Sequence, residues 1–190
     1  MPKKKQSRSH MPAILEFRIE LMDIRPAIWR QVLLPTPSPL DVLHAVIQES
    51  FGWQNYHLYR FEYKDRAFEQ LDDESTAEDA ARTTLQALDL KAGSSLLYTY
   101  DFGDDWHHEV RLVGTRPLNP DLIYPVCIDG ARAGPPEDAG GPSGYERLLE
   151  ILADPTNPEF LEMRAWAGSH FHPETFDLRA TNRILQLAFE

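Results

Sequence analysis

This chain has little sulfur and little positive charge. Its 190 residues include one cysteine, Cys127, which excludes an internal disulfide and a zinc site built from cysteines alone. No apolar run approaches the ~18 residues that a membrane-spanning helix needs, and the N-terminus lacks the hydrophobic stretch of a secretory signal. Cytoplasmic localisation is the expectation. Lysine and arginine number 19 against 30 aspartates and glutamates, a net charge of −11. Four of those cations, Lys3, Lys4, Lys5 and Arg8, fall in the first ten residues with no acid among them, so without these four the remainder stands at −15. So acidic a body repels phosphate backbones and anionic bilayers. It argues against nucleic acid and membrane as partners and leaves a protein or a small molecule. Residues 1–12 read as a disordered basic tail. Residues 13–190 read as one domain, long enough to bury a sizeable core.

Residues 14–24 alternate, with Leu15, Phe17, Ile19 and Leu21 on one side and Glu16, Arg18 and Glu20 on the other, the pattern of a strand with one wet face. Arg25-Pro26-Ala27 turns the chain, and Ile28–Leu34 returns as the second strand of a hairpin. Trp29 in that strand is expected to face the following helix, so that its deletion costs about 3–5 kcal/mol. Ser38 reads as the cap of that helix, with Leu40, Leu43, Ile47 and Phe51 as its apolar stripe and Gly52 as its stop. Leu58–Tyr63, Ser95–Tyr100 and His108–Val113 read as further strands, and 71–82 as a loop or short helix. The Pro- and Gly-rich stretch 119–144 reads as a long structured loop. Three helices follow, the first opened by a capping box of Ser143 and Glu146, the second by Asn157-Pro158, the last capped by Asp177. The order predicts an α+β fold: a mixed β-sheet of grasp-like order (β-β-α-β-β-β) with a helical C-terminal third.

Two dense polar segments carry the candidate chemistry, 100–109 (Tyr-Asp-Phe-Gly-Asp-Asp-Trp-His-His-Glu) and 134–141 (Gly-Pro-Pro-Glu-Asp-Ala-Gly-Gly). Two carboxylates about 5 Å apart repel by roughly 3 kcal/mol at an effective dielectric near 20, so half-burying Asp101, Asp104 and Asp105 requires a cation or a ring of donors. Asp104, Asp105, His108 and Glu137 are candidate ligands for a divalent metal ion, since carboxylate–imidazole sets suit zinc, manganese or iron(II). Asp101 or Asp138 is then a candidate base. Trp106, His57, Gly140 and Gly141 are candidate binding residues, the glycines because free amides before a helix can cradle an anion. The same Asp-rich turn also fits a hairpin connection whose side chains cap its own amides. Asp101-Phe102-Gly103 repeats a kinase metal-binding triplet, but no glycine-rich phosphate loop or catalytic His-Arg-Asp accompanies it.

Taken together, Arg25-Pro26-x-Ile28-Trp29-Arg30, Leu43-His44, Phe51-Gly52-Trp53 and His57-Leu58 resemble the opening of the plasmid pRiA4b ORF-3-like family. Tyr100–Trp106 with His108 resembles its central signature. Cys127-x-x-Gly130, Pro135-Pro136-Glu137-Asp138 and Gly140-Gly141-x-x-Gly144-Tyr145 resemble its second. The resemblance implies a function-unknown α+β domain, found on plasmids, chromosomes and insertion elements and labelled there as a resolvase-like passenger. No serine or tyrosine recombinase motif is present to match that label. Many members carry a second cysteine where this chain has Gly134, so the resemblance implies no thiolate pair here. Two functions stand open. One is a binding or interaction module associated with mobile elements. The other is a divalent-metal-dependent hydrolase or nuclease-like enzyme using the two polar segments.

Overall fold

The alternation in the first apolar segment becomes strand β1 (Ile14–Leu21), which the Arg25-Pro26 turn returns as β2 (Trp29–Pro35). The computed structural model describes residues 13–71 and 75–190; the basic tail and residues 72–74 of the 71–82 segment lie outside them. After α1 (Leu40–Phe51) come β3 (Tyr59–Tyr63), β4 (Arg66–Glu69), β5 (Glu78–Asp79), a short 3-10 turn (Leu85–Leu88), β6 (Ser95–Tyr100) and β7 (Trp106–Arg116). The chain closes with β8 (Val126–Ala131), α2 (Gly141–Ala153), α3 (Phe160–Ala167) and α4 (Leu178–Ala188). The eight strands of the described residues form one sheet in the order β5-β4-β3-β6-β7-β1-β2-β8. Among the described residues β4–β5 is its one parallel pair, so the sheet is mixed and the class is α+β.

Period-two alternation decides which side chains reach the core. Leu96, Tyr98 and Tyr100 on β6 lie across from Val110, His108 and Trp106 on β7, and all six are buried. Phe17, Ile19 and Leu21 continue that face on β1, and Leu40, Leu43, Ile47 and Phe51 of α1 belong to the same cluster. Gly52 stops α1 in the left-handed conformation, φ 84°, which glycine adopts without strain.

Several local expectations need correction. Pro39, not Ser38, occupies the cap of α1, and the Leu40 N–H is taken up by the carbonyls of Thr83 and Ala80 at 2.9 and 3.1 Å. Helix α2 starts at Gly141, two residues before the expected capping box, with Pro142 in its first turn. Asp177 caps α4 as expected, accepting the N–H groups of Arg179 and Ala180. The long 119–144 loop contains β8, which adds to the sheet edge on β2. Trp29 does not enter the core. It is half-buried with the Arg18 guanidinium 4.0 Å from its ring centroid, while Arg30, the next residue, points inward. Trp29→Ala should therefore cost about 1 kcal/mol, the scale of one exposed cation–π contact. A urea midpoint shifted by the equivalent of about 3 kcal/mol would restore the core assignment.

Candidate functional site

Three loops meet at the end of β6. The first, 52–58, leaves the stop of α1. It is fixed by its own amides: Asn55 N–H donates to Gln48 Oε1 (3.0 Å), Tyr56 N–H to the Tyr100 hydroxyl (3.1 Å) and Gln54 N–H to Glu137 Oε1 (2.7 Å). The second, 101–105, joins β6 to β7 through left-handed turns at Asp101 and Asp105, φ 55° and 59°. Aspartate tolerates that conformation because its short side chain bonds its own backbone. Asp101 Oδ1 accepts Gly103 N–H at 2.9 Å, and the Asp105 N–H donates to the Asp101 carbonyl at 2.6 Å. The third loop, 133–140, is tied to the others by Trp53 Nε1–H donating to the Pro135 carbonyl (2.9 Å) and by Gly140 N–H donating to Asp104 Oδ2 (2.9 Å).

This lacing brings the two polar segments together and leaves one group of three poised side chains. His57 Nε2 lies 3.0 Å from Asp138 Oδ1 and 3.6 Å from Asp101 Oδ2. One potential ligand atom from each of the three lies within 4.8 Å of the others, and among the described residues no other group of three or more His, Cys, Asp and Glu does so. At that spacing the two carboxylates repel by about 1 kcal/mol in a water-like medium and about 3 kcal/mol at an effective dielectric near 20. Among the described residues no lysine or arginine forms an ion pair with either carboxylate. A nitrogen with two oxygens is a donor set for zinc, manganese or iron(II). Asp138 also lines a groove of about 410 Å³ whose other walls include Gly144, Arg147, Met163 and Trp166.

The residues singled out in the sequence divide by what already satisfies them. His57, Asp101 and Asp138 form the group, although Asp101 and Asp138 were expected chiefly as candidate bases and His57 as a binding residue. Three of the four expected ligands make other bonds, and the fourth, His108, lies in the core. Asp104 holds the Gly140 amide at the start of α2, so the anion that fits that helix entry is the chain's own carboxylate. Asp105 pairs with His107 Nε2 at 3.2 Å. Glu137 Oε1 accepts the Gln54 amide and the Tyr100 hydroxyl, the latter at 3.1 Å. Burial first, then the charge of Glu137, push the Tyr100 hydroxyl well above its ordinary pKa, so it stays a donor.

His108 is fully buried between Phe51, Trp53 and Tyr98, at centroid distances of 5.0, 5.2 and 5.3 Å. Burial lowers its pKa to about 3; the backbones of Trp106 and Tyr98 hold it up in part, yet among the described residues neither ring nitrogen has a partner in hydrogen-bond geometry. Trp106 is likewise core, at 1 % exposure, and Gly141 serves packing: its backbone abuts the Asp104 carbonyl so closely that any Cβ would collide. The signal for His57 as a ligand was absent from spacing, because 44 residues separate it from Asp101 and 37 more separate Asp101 from Asp138.

Comparison with known proteins agrees with the fold and carries no activity. The chain is 35 % identical over 161 residues to the uncharacterized protein y4hQ of Sinorhizobium fredii (strain NBRC 101917 / NGR234), covering 83 % of this chain and 82 % of that one. Among solved structures it is similar to MM3350 from Methanosarcina mazei Go1, described as a protein of unknown function. That likeness has a TM-score of 0.84 and 32 % identity, over 89 % of this chain and 97 % of the other. No helix of the described residues is long and apolar enough to cross a membrane. The family model for plasmid pRiA4b ORF-3-like protein matches residues 13–180, and the chain belongs to that family.

Proposed function

We propose that the protein binds a divalent metal ion through His57 Nε2, Asp101 and Asp138, and that it acts as a metal-dependent hydrolase. The observation that carries the reading is the approach of two carboxylates to one imidazole nitrogen with no lysine or arginine among the described residues paired to them. Three protein donors leave coordination positions open, as catalytic rather than structural sites do, and a bound ion there would lower the pKa of water and polarise an ester or phosphoryl oxygen. The adjoining groove gives a substrate a place beside Asp138, with Trp166 as an apolar wall. Asp101 is held by its turn and Asp138 stands more exposed, so Asp101 would fix the ion while Asp138 adjusts to the ligand.

Titration of chelator-treated protein with zinc or manganese should show one saturable site and a raised melting temperature. His57→Ala should weaken that affinity by about tenfold or more, about 1.4 kcal/mol, while Asp105→Asn should leave it unchanged. Metal-loaded parent should hydrolyse an activated phosphodiester or ester, and Asp138→Asn should not. Protein that binds neither metal, and melts identically with and without chelator, would sink this reading. A binding-module reading would then take its place, favoured by the internal satisfaction of Asp104, Asp105 and Glu137, which is what a rigid display surface requires.

A further inference from the structure

On the other side of the 133–136 loop, Arg30 is buried to 2 % exposure and forms no ion pair with any described carboxylate. Its inward orientation follows from β2 alternation, which places it on the core face with Val32 and Leu34. Two of its nitrogens are committed. Nε–H donates to the Ser50 carbonyl at 2.7 Å, and Nη1 donates to the carbonyls of Trp29 and Ala131 at 2.8 and 3.0 Å. Nη2 makes no hydrogen bond among the described residues, yet it is not sealed away as the nitrogens of His108 are. The guanidinium lies between two rings, 4.8 Å from the centroid of Phe51 and 4.3 Å from that of Phe176.

Two glycines make room for this arrangement. A Cβ at Gly130 would come within 2.8 Å of the Phe176 ring, and one at Gly134 would collide with the Phe51 carbonyl. Arg30 opens on a groove of about 330 Å³ between the end of α1, the 133–136 loop and α4. Its walls are mainly apolar, among them Pro135, Pro136, Phe171, Ala180 and Ile184, with Glu49 and Asp177 also lining it. A buried arginine without a counter-charge is costly unless an anion is supplied, and a guanidinium fixed by three carbonyls is already oriented to receive one.

We propose that this groove binds a small apolar monocarboxylate, its carboxylate on Arg30 Nη2 and its tail along Pro135, Ala180 and Ile184. One free guanidinium nitrogen matches a single negative charge. Glu49 and Asp177 oppose a dianion, so phosphate is disfavoured, and the apolar walls favour an acid that carries a hydrocarbon body over acetate.

Benzoate, its neutral analogue benzyl alcohol, and inorganic phosphate are the probes, read by calorimetry and by melting temperature on the full chain. Benzoate should bind saturably and raise the melting temperature, and the other two should not. Ala180→Phe sits on an exposed helix position and fills the groove without touching the core. It should weaken benzoate by about tenfold while the free protein melts as the parent does. Arg30→Met should abolish binding if it folds. Absence of saturable benzoate binding, equal binding of benzyl alcohol, phosphate binding in place of benzoate, or undiminished benzoate affinity in Ala180→Phe would each overturn the proposal.

Discussion

Acidification should unfold this protein well before its carboxylates titrate. Two histidines are the cause. Burial lowers His108 to about pKa 3 and His44 to about 4, with Asn55 partly opposing the shift at His44. His44 is stacked on Tyr59 at 3.6 Å, with Nδ1 2.8 Å from the Tyr98 hydroxyl and Nε2 2.8 Å from Asn55 Oδ1. A neutral ring fits both contacts, donating to Asn55 and accepting from Tyr98. In the unfolded chain each histidine takes its proton near pH 6.5, while the folded protein admits it only near its depressed value. Between those limits the unfolded state binds more protons, so stability falls as pH falls. Each site removes about 1.4 kcal/mol per pH unit, and the pair about 2.7, from roughly pH 6.5 down to about 4, after which His108 alone continues.

Two pH units therefore remove on the order of 5 kcal/mol, comparable to the whole stability of many domains. Glu16, whose pKa is lowered chiefly by its bond to Arg116, contributes only from the ordinary glutamate range downward, at the acid edge of this window. Urea midpoints measured from about pH 7 to pH 5 should show the slope, and His108→Leu should roughly halve it. The same variant should hold or gain stability near neutral pH, because it removes two buried nitrogens that have no partner. If His108→Leu keeps the parent's pH dependence, His108 is not the acid-sensitive group.

What the sequence revealed of the fold follows from how local each signal is. The alternation of Leu15, Phe17, Ile19 and Leu21 needs no partner to be read, and β1 forms where it lies. Asp177 signals the start of α4 because its side chain bonds amides only two and three residues on. Strand β8 was hidden because Val126–Ala131 is short, sits in a Pro- and Gly-rich stretch, and is a strand only by virtue of pairing with β2 across a register shift. The candidate site was half legible. The crowding of carboxylates in 100–109 and 134–141 marked the place, but which of them remain available depends on long-range bonds. Gly140 claims Asp104, and Gln54 with Tyr100 claims Glu137. Arg30 was open to reading from the start, since Ile28, Val32 and Leu34 share its face. Trp29, bulky and adjacent, drew the core assignment instead.

Trp53 couples the core to the proposed metal centre, and its removal should show both roles at once. The ring is 4 % exposed, stacked on Tyr100 at 5.0 Å and on Phe51 at 5.7 Å, and it meets the His108 ring at its edge. Trp53→Ala should cost about 3–5 kcal/mol from lost burial and the cavity left behind. The indole N–H makes a separate contribution, because its bond to the Pro135 carbonyl holds the loop of Asp138 against the segment that carries His57. Trp53→Phe keeps an aromatic ring and loses that bond, so it should cost only about 1–2 kcal/mol while weakening metal binding by roughly tenfold. Phe61→Leu supplies the comparison: it lies in the core on β3 against Tyr98 and Tyr59, and should cost a similar amount of stability with no change in metal affinity. Equal metal affinity in Trp53→Phe and Phe61→Leu would mean that the indole bond does not position Asp138, and that the loop holds its shape through the Gly140–Asp104 bond and the bonds of Glu137 to Gln54 and Tyr100.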